Sequence, residues 1–366
     1  MRKYYLDNIR WATVVLVVIY HVFYMYNGTG IQGGLRKITD LDVQYYDAYQ
    51  YIVFPWFMMV LFIISGIVSR IYLENHTGKE FAKSRTTKLL VPTTIGLIAF
   101  QFIQGYFNMA LSGAFDTMEG VPGFVRYLIM LASGIGVLWY IQLLWVYSML
   151  LLLIRKIEKD RLWSFCAKVN APVIILISAL VFGSAQVLNT PIISVYRIGL
   201  YGLSFLLGYF VFSHDEVIDI LKRYFILLLV IALALGTAFV IKYFGSNYAD
   251  APVNRTPLFV LYAWSACLAI LGGAAKYADF MTPFTKWMSD HSFGLYVFHY
   301  LGISVIALYI AKPGLCHPAI VYIISLIAAF AFGYGLYAVI SRIPFFRWAV
   351  LGIKGNKKKA GNENVQ

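Results

Sequence analysis

The sequence predicts an all-α protein, a polytopic membrane bundle of about ten transmembrane helices with both termini in the cytoplasm. Three observations support this prediction. Of the 366 residues, 60% are hydrophobic and only 13% are charged, which is about half the charged fraction of a typical soluble domain. The apolar residues form long runs, such as the one from Trp11 to Tyr20. Lys and Arg are distributed unevenly among the segments that connect these runs.

Apolar windows of about 20 residues cross a hydrocarbon core as helices, because a helix satisfies its backbone hydrogen bonds internally. The windows predict helices near residues 9–26, 50–73, 87–107, 136–155, 170–188, 194–213, 221–243, 256–276, 291–311 and 317–341. Segment 122–135 is predicted to be re-entrant or interfacial, and the connection at 188–194 to be tight. The basic, then apolar N-terminus has no small-residue cleavage site, so it is interpreted as a retained first helix. Residues 1–345 are thus one transmembrane domain, followed by a basic cytoplasmic tail over 346–366.

The positive charges set the predicted orientation. With the N-terminus inside, 23 of the 30 Lys and Arg residues fall in inner segments and 7 in outer segments, as the positive-inside rule requires of cytoplasmic ends. This topology explains the net charge of +13 without a nucleic-acid partner. The three cysteines are neither an even nor a closely spaced set, so no disulfide framework and no metal site are expected.

The first helix carries the polar residues of greatest interest. Arg10 and His21 fall on one face about 16 Å apart, because eleven residues exceed three helical turns by only about 20°. Asp7 lies one turn before Arg10 and can pair with it. Arg10 alone is typical of a snorkelling anchor at the inner surface. His21 is either an interhelical hydrogen-bond partner or functional, and the rarity of histidine in apolar helices favours function.

This pattern, Tyr-x-Leu-Asp-x-x-Arg and then His after ten residues, resembles the start of the acyltransferase-3 family of bacterial membrane O-acyltransferases, most closely its glucan-modifying branch. The likeness continues in order through LFIISG (61–66), FAKSRTTKLLVP (81–92), LWYIQLLWVY (138–147) and SFGLYVFH (292–299). It therefore covers essentially the whole chain, so residues 1–345 are interpreted as an acyltransferase-3-like domain. Ten helices with both ends inside are also the core architecture of that family.

The resemblance implies a multi-pass enzyme of the cell (inner) membrane. It would move an acetyl or other short acyl group from cytoplasmic acyl-CoA, most simply acetyl-CoA, to a hydroxyl of an extracytoplasmic glycan or glycolipid. The matching His21 would be the catalytic residue, and Arg10, Arg85 and Lys88 would lie on the donor side. Lys88 stands where the family has a second Arg, so the charge is kept but the bidentate phosphate geometry is lost.

Other candidates come from the chemistry that such a reaction needs. Arg70, Arg85 and Lys88 are predicted to cluster at the inner surface, where cations suit a phosphate-bearing donor, although ordinary positive-inside charge is the alternative. His299, near the middle of the ninth predicted helix, is a second catalytic or substrate-orienting candidate, with interhelical packing as the alternative. Candidates for stabilising the oxyanion are Tyr140, Trp139 and Ser65. Direct attack by the acceptor and an acyl-histidine intermediate both remain open.

A neutral imidazole at His21 would serve as a general base that takes the proton from the acceptor hydroxyl. A transporter or flippase of a polar envelope precursor is the alternative function, in which the polar stripe of the first helix would line a translocation path. The sequence has no repeat symmetry and no pair of Gly- or Pro-interrupted helices at midplane, which disfavours that alternative. A membrane acyltransferase acting on a lipid or a protein is a further one.

Overall fold

The computed structural model of the protein describes residues 2–29, 31, 33–188 and 197–354. Within these ranges the regular elements are helices, which confirms the all-α prediction. They are α1 Tyr4–Met25, α2 Ala48–Asn75, α3 Gly78–Ser112, α4 Gly123–Gly134, α5 Gly136–Glu158, α6 Arg161–Cys166, α7 Ala171–Ser184, α8 Ile198–Phe210, α9 Asp215–Arg223, α10 Phe225–Tyr243, α11 Pro257–Tyr277, α12 Pro283–Ala311, α13 Pro318–Ile340 and α14 Pro344–Leu351.

Among the described residues, eight helices are long and apolar enough to cross a membrane: α1, α2, α3, α5, α10, α11, α12 and α13. They correspond to eight of the ten predicted spans. The spans predicted at 170–188 and 194–213 correspond to α7 and α8, which have 14 and 13 residues and are shorter than the roughly 20 residues that a full crossing needs. Most of the tight connection predicted at 188–194, and the first residues of the span predicted at 194–213, lie outside the described residues.

Segment 122–135, which the sequence leaves ambiguous, forms the 12-residue helix α4. It packs closely on the second half of α3, where a Cβ added to Gly105 would lie 1.7 Å from the backbone oxygen of Met130. Only glycine allows the two backbones to approach so closely. Helix α4 is therefore a short element that supports α3.

Helix α2 forms the centre of the bundle and is the most buried of the spans. Its closest neighbour is α8. A Cβ on Gly66 would lie 2.0 Å from the backbone oxygen of Phe205, and one on Gly208 would lie 2.0 Å from that of Ile63. In lipid, where helices gain little from the hydrophobic effect, such backbone-to-backbone packing at small residues is a main source of association.

Helix α12 begins eight residues before the start that the sequence predicts at 291. Thr282 caps it through a reciprocal pair of hydrogen bonds with Thr285, and Pro283 occupies its first turn. Helix α1 is fixed beside this start, because the side-chain amide of Asn8 donates to the backbone oxygens of Ala278 at 2.7 Å and Phe280 at 2.8 Å. The first turns of α1 and α12 are thereby held at the same end of the bundle.

Helix α3 is irregular, with π-helical stretches at Thr86–Leu90 and Leu97–Gln101. Helix α14 lies along it, and a Cβ on Gly96 would meet the backbone oxygen of Ala349 at 2.5 Å. All of α14 but its first two residues belongs to the segment predicted as a basic tail over 346–366. The division of the chain at residue 345 stays a prediction.

Candidate active site

His21 of α1 and His299 of α12 form a pair near the middle of the bundle. Nε2 of His299 lies 3.1 Å from Nδ1 of His21, and the ring centroids are 5.0 Å apart. His299 is fully buried, whereas His21 is partly exposed. The sequence predicts both histidines as candidates, and the structure brings them together across 278 positions of the chain.

The hydrogen bonds assign a role to each ring nitrogen. Nδ1 of His21 lies 2.9 Å from the backbone oxygen of Val17, and Nδ1 of His299 lies 3.0 and 2.9 Å from those of Leu295 and Tyr296. A carbonyl oxygen only accepts, so in neutral rings both Nδ1 atoms carry the proton. Nε2 of His299, which carries no proton, then shares the single Nδ1 proton of His21 with the backbone oxygen of Val17 as its second acceptor. The lone pair of His21 is left on its Nε2.

His21 lines a cavity of about 460 Å³, here called the histidine cavity. Its walls are largely aromatic, and the ring of Tyr300 lies edge-on to His21 at 5.2 Å. The aromatic lining residues are Tyr20, Tyr24, Phe54, Phe57, Trp139, Tyr201, Tyr296 and Tyr300. Asn108 and Ser112 add polar groups, and among the described lining residues there is no Asp, Glu, Lys or Arg.

A second cavity of about 760 Å³ opens near the N-terminal end of α1 and is here called the basic cavity. Its charged lining residues are Arg10, Lys83, Arg85, Lys88, Lys354, Glu80 and Asp290. Arg10 pairs with Asp7 at 3.2 Å, as their spacing predicts. Arg85 donates to the neutral hydroxyl of Ser69 at 3.2 Å and lies over the ring of Phe81. This excess of cations suits an anionic ligand.

A family model described as an acyltransferase domain matches residues 3–338. The chain belongs to the acyltransferase-3 family. The resemblance predicted from the sequence is thereby confirmed, and the protein is a multi-pass membrane acyltransferase. No curated protein and no solved structure matches the chain significantly.

Five helices of this acyltransferase, α1, α2, α3, α5 and α12, line both cavities. On α1, Arg10 faces the basic cavity and His21 the histidine cavity. On α12, Phe293 faces the former and Tyr296 the latter. The two cavities therefore occupy opposite halves of one bundle and share their walls.

The rings of Tyr140 and Tyr296 meet at 5.9 Å where the cavities adjoin. The hydroxyl of Tyr140 lies 3.0 Å from that of Ser65, and both residues line the basic cavity. The hydroxyl of Tyr296 donates to the backbone oxygen of Val137. Of the three oxyanion candidates that the sequence offers, only Trp139 lines the histidine cavity.

Arg70 lies apart from the other predicted donor residues and does not line the basic cavity as described. Its Nη1 is 2.6 Å from a carboxylate oxygen of Asp160, and its guanidinium stacks on Trp163 at 3.8 Å. The acid and the aromatic ring hold the guanidinium between α2 and the start of α6. The structure thus brings Arg10, Arg85 and Lys88 together and leaves Arg70 elsewhere.

Sequence reasoning did not select Tyr296 and Tyr300, which line the histidine cavity. Their spacing carries a usable signal, because residues four apart lie on the same face of a helix. The sequence also did not indicate Lys354 as a site residue, because it is one of the many positive charges that the positive-inside rule explains. Its place in the basic cavity depends on the path of α14 over α3, for which no local sequence pattern exists.

Proposed function

We propose that this acyltransferase moves an acetyl or other short acyl group from acyl-CoA in the basic cavity to a hydroxyl of a glycan or glycolipid in the histidine cavity. The donor would enter from the cytoplasm and the acceptor from the other side of the membrane. The observation that carries the proposal is the histidine pair on α1 and α12, two helices that line both a cationic and an uncharged cavity, with His21 facing the uncharged one.

The basic cavity suits the donor because the nucleotide end of acyl-CoA carries phosphates, which cannot cross a bilayer. Of the ion pairs between described residues, none includes Arg85 or Lys88. Their charges are therefore available to phosphate oxygens. Only the thin pantetheine arm has to pass the rings of Tyr140 and Tyr296 to bring the thioester to His21.

The histidine cavity suits a neutral sugar. Its aromatic rings offer flat apolar faces, and its tyrosine hydroxyls and Asn108 offer hydrogen bonds. A cavity without charged side chains also leaves the imidazole of His21 neutral, which is the state that a base requires.

The proposed reaction uses Nε2 of His21 as the base. It takes the proton from the acceptor hydroxyl while that oxygen attacks the thioester carbonyl. The tetrahedral intermediate then expels the thiolate of CoA, which receives the proton back from His21 and leaves as the free thiol. His299 orients His21 by accepting from its Nδ1, and it stabilises the imidazolium that forms. The alternative is attack by Nε2 itself, which gives an acyl-histidine before transfer to the acceptor.

The proposal is tested with purified protein in lipid nanodiscs and with intact cells. We expect the protein to bind CoA, and cell-surface glycans to show the mass increment of the acyl group only when the active chain is present. A transporter or flippase would instead move its cargo without consuming acyl-CoA. A protein that does not bind CoA and leaves every surface glycan unchanged would contradict the proposal.

An attempt to trap an acylated protein distinguishes direct attack by the acceptor from the route through an acyl-histidine. Radiolabelled acyl-CoA without acceptor labels the protein if an acyl-histidine forms. An unlabelled protein that is active once acceptor is added supports direct attack.

A further inference from the structure

The chain past the family match, which ends at residue 338, reaches the basic cavity. Leu351, Gly352, Ile353 and Lys354 all line it. The first of these is buried, and the last is exposed. The segment thus forms one wall of the cavity and carries a positive charge at its mouth.

This wall is fixed by close backbone contact. Gly352 ends α14 with φ 64°, in the left-handed region. A Cβ there would lie 2.5 Å from the backbone oxygen of Thr87 and 2.7 Å from Cα of Lys88. Glycine is therefore required at position 352 both by its conformation and by the space available. As a result, the residues after it lie beside Lys88.

The acidic residues of the basic cavity are already engaged. Glu80 accepts from the backbone of Thr77 at 2.8 Å, and Asp290 pairs with Lys286 at 2.6 Å. The exposed lysines of the cavity, Lys83, Lys88 and Lys354, therefore give its mouth a positive potential that these acids only partly offset. Arg10 and Arg85 are less exposed than these lysines.

We propose that Lys354 is a donor-binding residue that contacts a phosphate of acyl-CoA at the mouth of the basic cavity. Gly352 is the positioning residue that holds it there. This inference rests on the proposed function, and it assigns to the C-terminal segment a part of the donor site in addition to its topological charge.

The test compares Lys354→Ala with Lys168→Ala in the full-length protein in nanodiscs. Lys168 is an exposed lysine that lines neither cavity, so its removal matches the loss of one positive charge. We expect Lys354→Ala to raise the Kd for CoA and the KM for acyl-CoA about two- to fivefold, the range for one exposed ion pair. We expect kcat to stay near the wild-type value and the control to bind CoA normally.

Binding of dephospho-CoA, which lacks the ribose 3′-phosphate, shows which phosphate Lys354 contacts. If Lys354 meets the ribose 3′-phosphate, Lys354→Ala weakens CoA binding and leaves dephospho-CoA binding unchanged. If Lys354 contacts the diphosphate, Lys354→Ala weakens the binding of CoA and of dephospho-CoA to the same extent. Equal affinities of Lys354→Ala and wild type for both ligands would overturn the inference while wild-type CoA binding keeps the proposed function. A wild-type protein that binds no CoA overturns both.

Gly352→Ala tests the positioning role independently. Its matched control is Gly314→Ala, because Gly314 also has a left-handed φ of 72° but nothing lies within 4 Å of an added Cβ. We expect Gly352→Ala to raise the KM for acyl-CoA more than Lys354→Ala does, and the double variant to add little further. Full additivity of the two changes would show that Gly352 does not act through Lys354.

Discussion

The two cavities share five helices and differ in charge. The basic cavity is lined by five cations and two acids, whereas the described lining of the histidine cavity has neither. The same helices therefore present ionic groups at one end and aromatic rings with a histidine pair at the other. Contacts remote from the reacting atoms change substrate binding, and groups at the reacting atoms change turnover. Substitutions in the two cavities should accordingly separate KM from kcat.

The largest expected effect is at His21. His21→Gln keeps approximate size and hydrogen bonding but cannot act as a base at neutral pH. We expect kcat for acyl transfer to fall about 10²- to 10⁴-fold, with the Kd for CoA unchanged. His21→Ala should behave alike and insert normally, because removing a polar group from an apolar helix lowers the cost of insertion. Turnover and CoA binding are measured on the same nanodisc preparations.

Near-normal transfer by His21→Gln would leave the family membership intact but contradict the mechanism. His299 would then become the leading candidate for the base. The exposed His76 provides a control, and His76→Gln should transfer at the wild-type rate.

The next effect is at His299, which accepts from His21. Loss of one such hydrogen bond typically removes about 1 kcal/mol of stabilisation, so we expect His299→Leu to lower kcat about fivefold with the Kd for CoA unchanged. His299→Gln supplies an oxygen that can accept from Nδ1 of His21, and it should recover part of the loss. If Leu and Gln variants are equally impaired and equally destabilised, His299 acts only in packing.

Substitutions in the basic cavity are expected to weaken donor binding and to change turnover less. Arg85→Ala should raise the KM for acyl-CoA about tenfold, in the range for a charge-assisted hydrogen bond, with a smaller change in kcat. Arg10→Ala should act similarly, and Arg10→Lys separates charge from the planar guanidinium. Steady-state kinetics with varied donor measure both constants. Unchanged donor kinetics in folded Arg85→Ala would reduce this cluster to a topological role.

Arg70→Ala tests whether Arg70 stabilises the fold or binds the donor. Loss of its contacts with Asp160 and Trp163 should lower thermal stability in detergent. A rise in donor KM matching that of Arg85→Ala would instead return Arg70 to the donor site.

The last prediction concerns the orientation of the chain in the membrane. It involves the smallest effect, because reporter fusions should leave acyl transfer unchanged. Fusions after residue 359 and within 156–169 should report the cytoplasm, and fusions near Asp42 and Gly120 the other side. The uneven distribution of Lys and Arg predicts this result. An external C-terminus would place the basic cavity on the wrong side for cytoplasmic acyl-CoA.

The positions of the long helices were predictable because apolar runs are a strong local signal. Helix α12 shows the limit of that signal. Its first eight residues are too polar for an apolar window, although Thr282 followed by Pro283 is typical of a helix start. The short helices α7 and α8 were predicted as full spans, because composition does not reveal where a helix ends against its neighbours.

The site was predictable only in part. His21 and Arg10 share a helix, so their spacing alone fixes their relation. The contact between His21 and His299 depends on how α1 packs against α12, and that pairing has no sequence signal within either helix. Arg70 shows the same limit, because its partner Asp160 lies 90 positions away. Charge counts predict on which side of a membrane a residue lies, but not which cavity it faces.

The π-helical stretch Thr86–Leu90 of α3 has a consequence for how such a donor site can vary. A π-turn takes up one residue more than a regular α-helix needs over the same path, and each residue turns a helix by about 100°. Deleting one residue within Thr86–Leu90 would let the stretch relax to a regular α-helix without breaking the chain's course. Side chains outside the stretch, such as that of Arg85, would keep their directions. Those within it, Lys88 and Leu89 among them, would point in new directions. Insertions and deletions of single residues at this point can therefore change which groups meet the donor, a route of variation that substitution at fixed length does not offer.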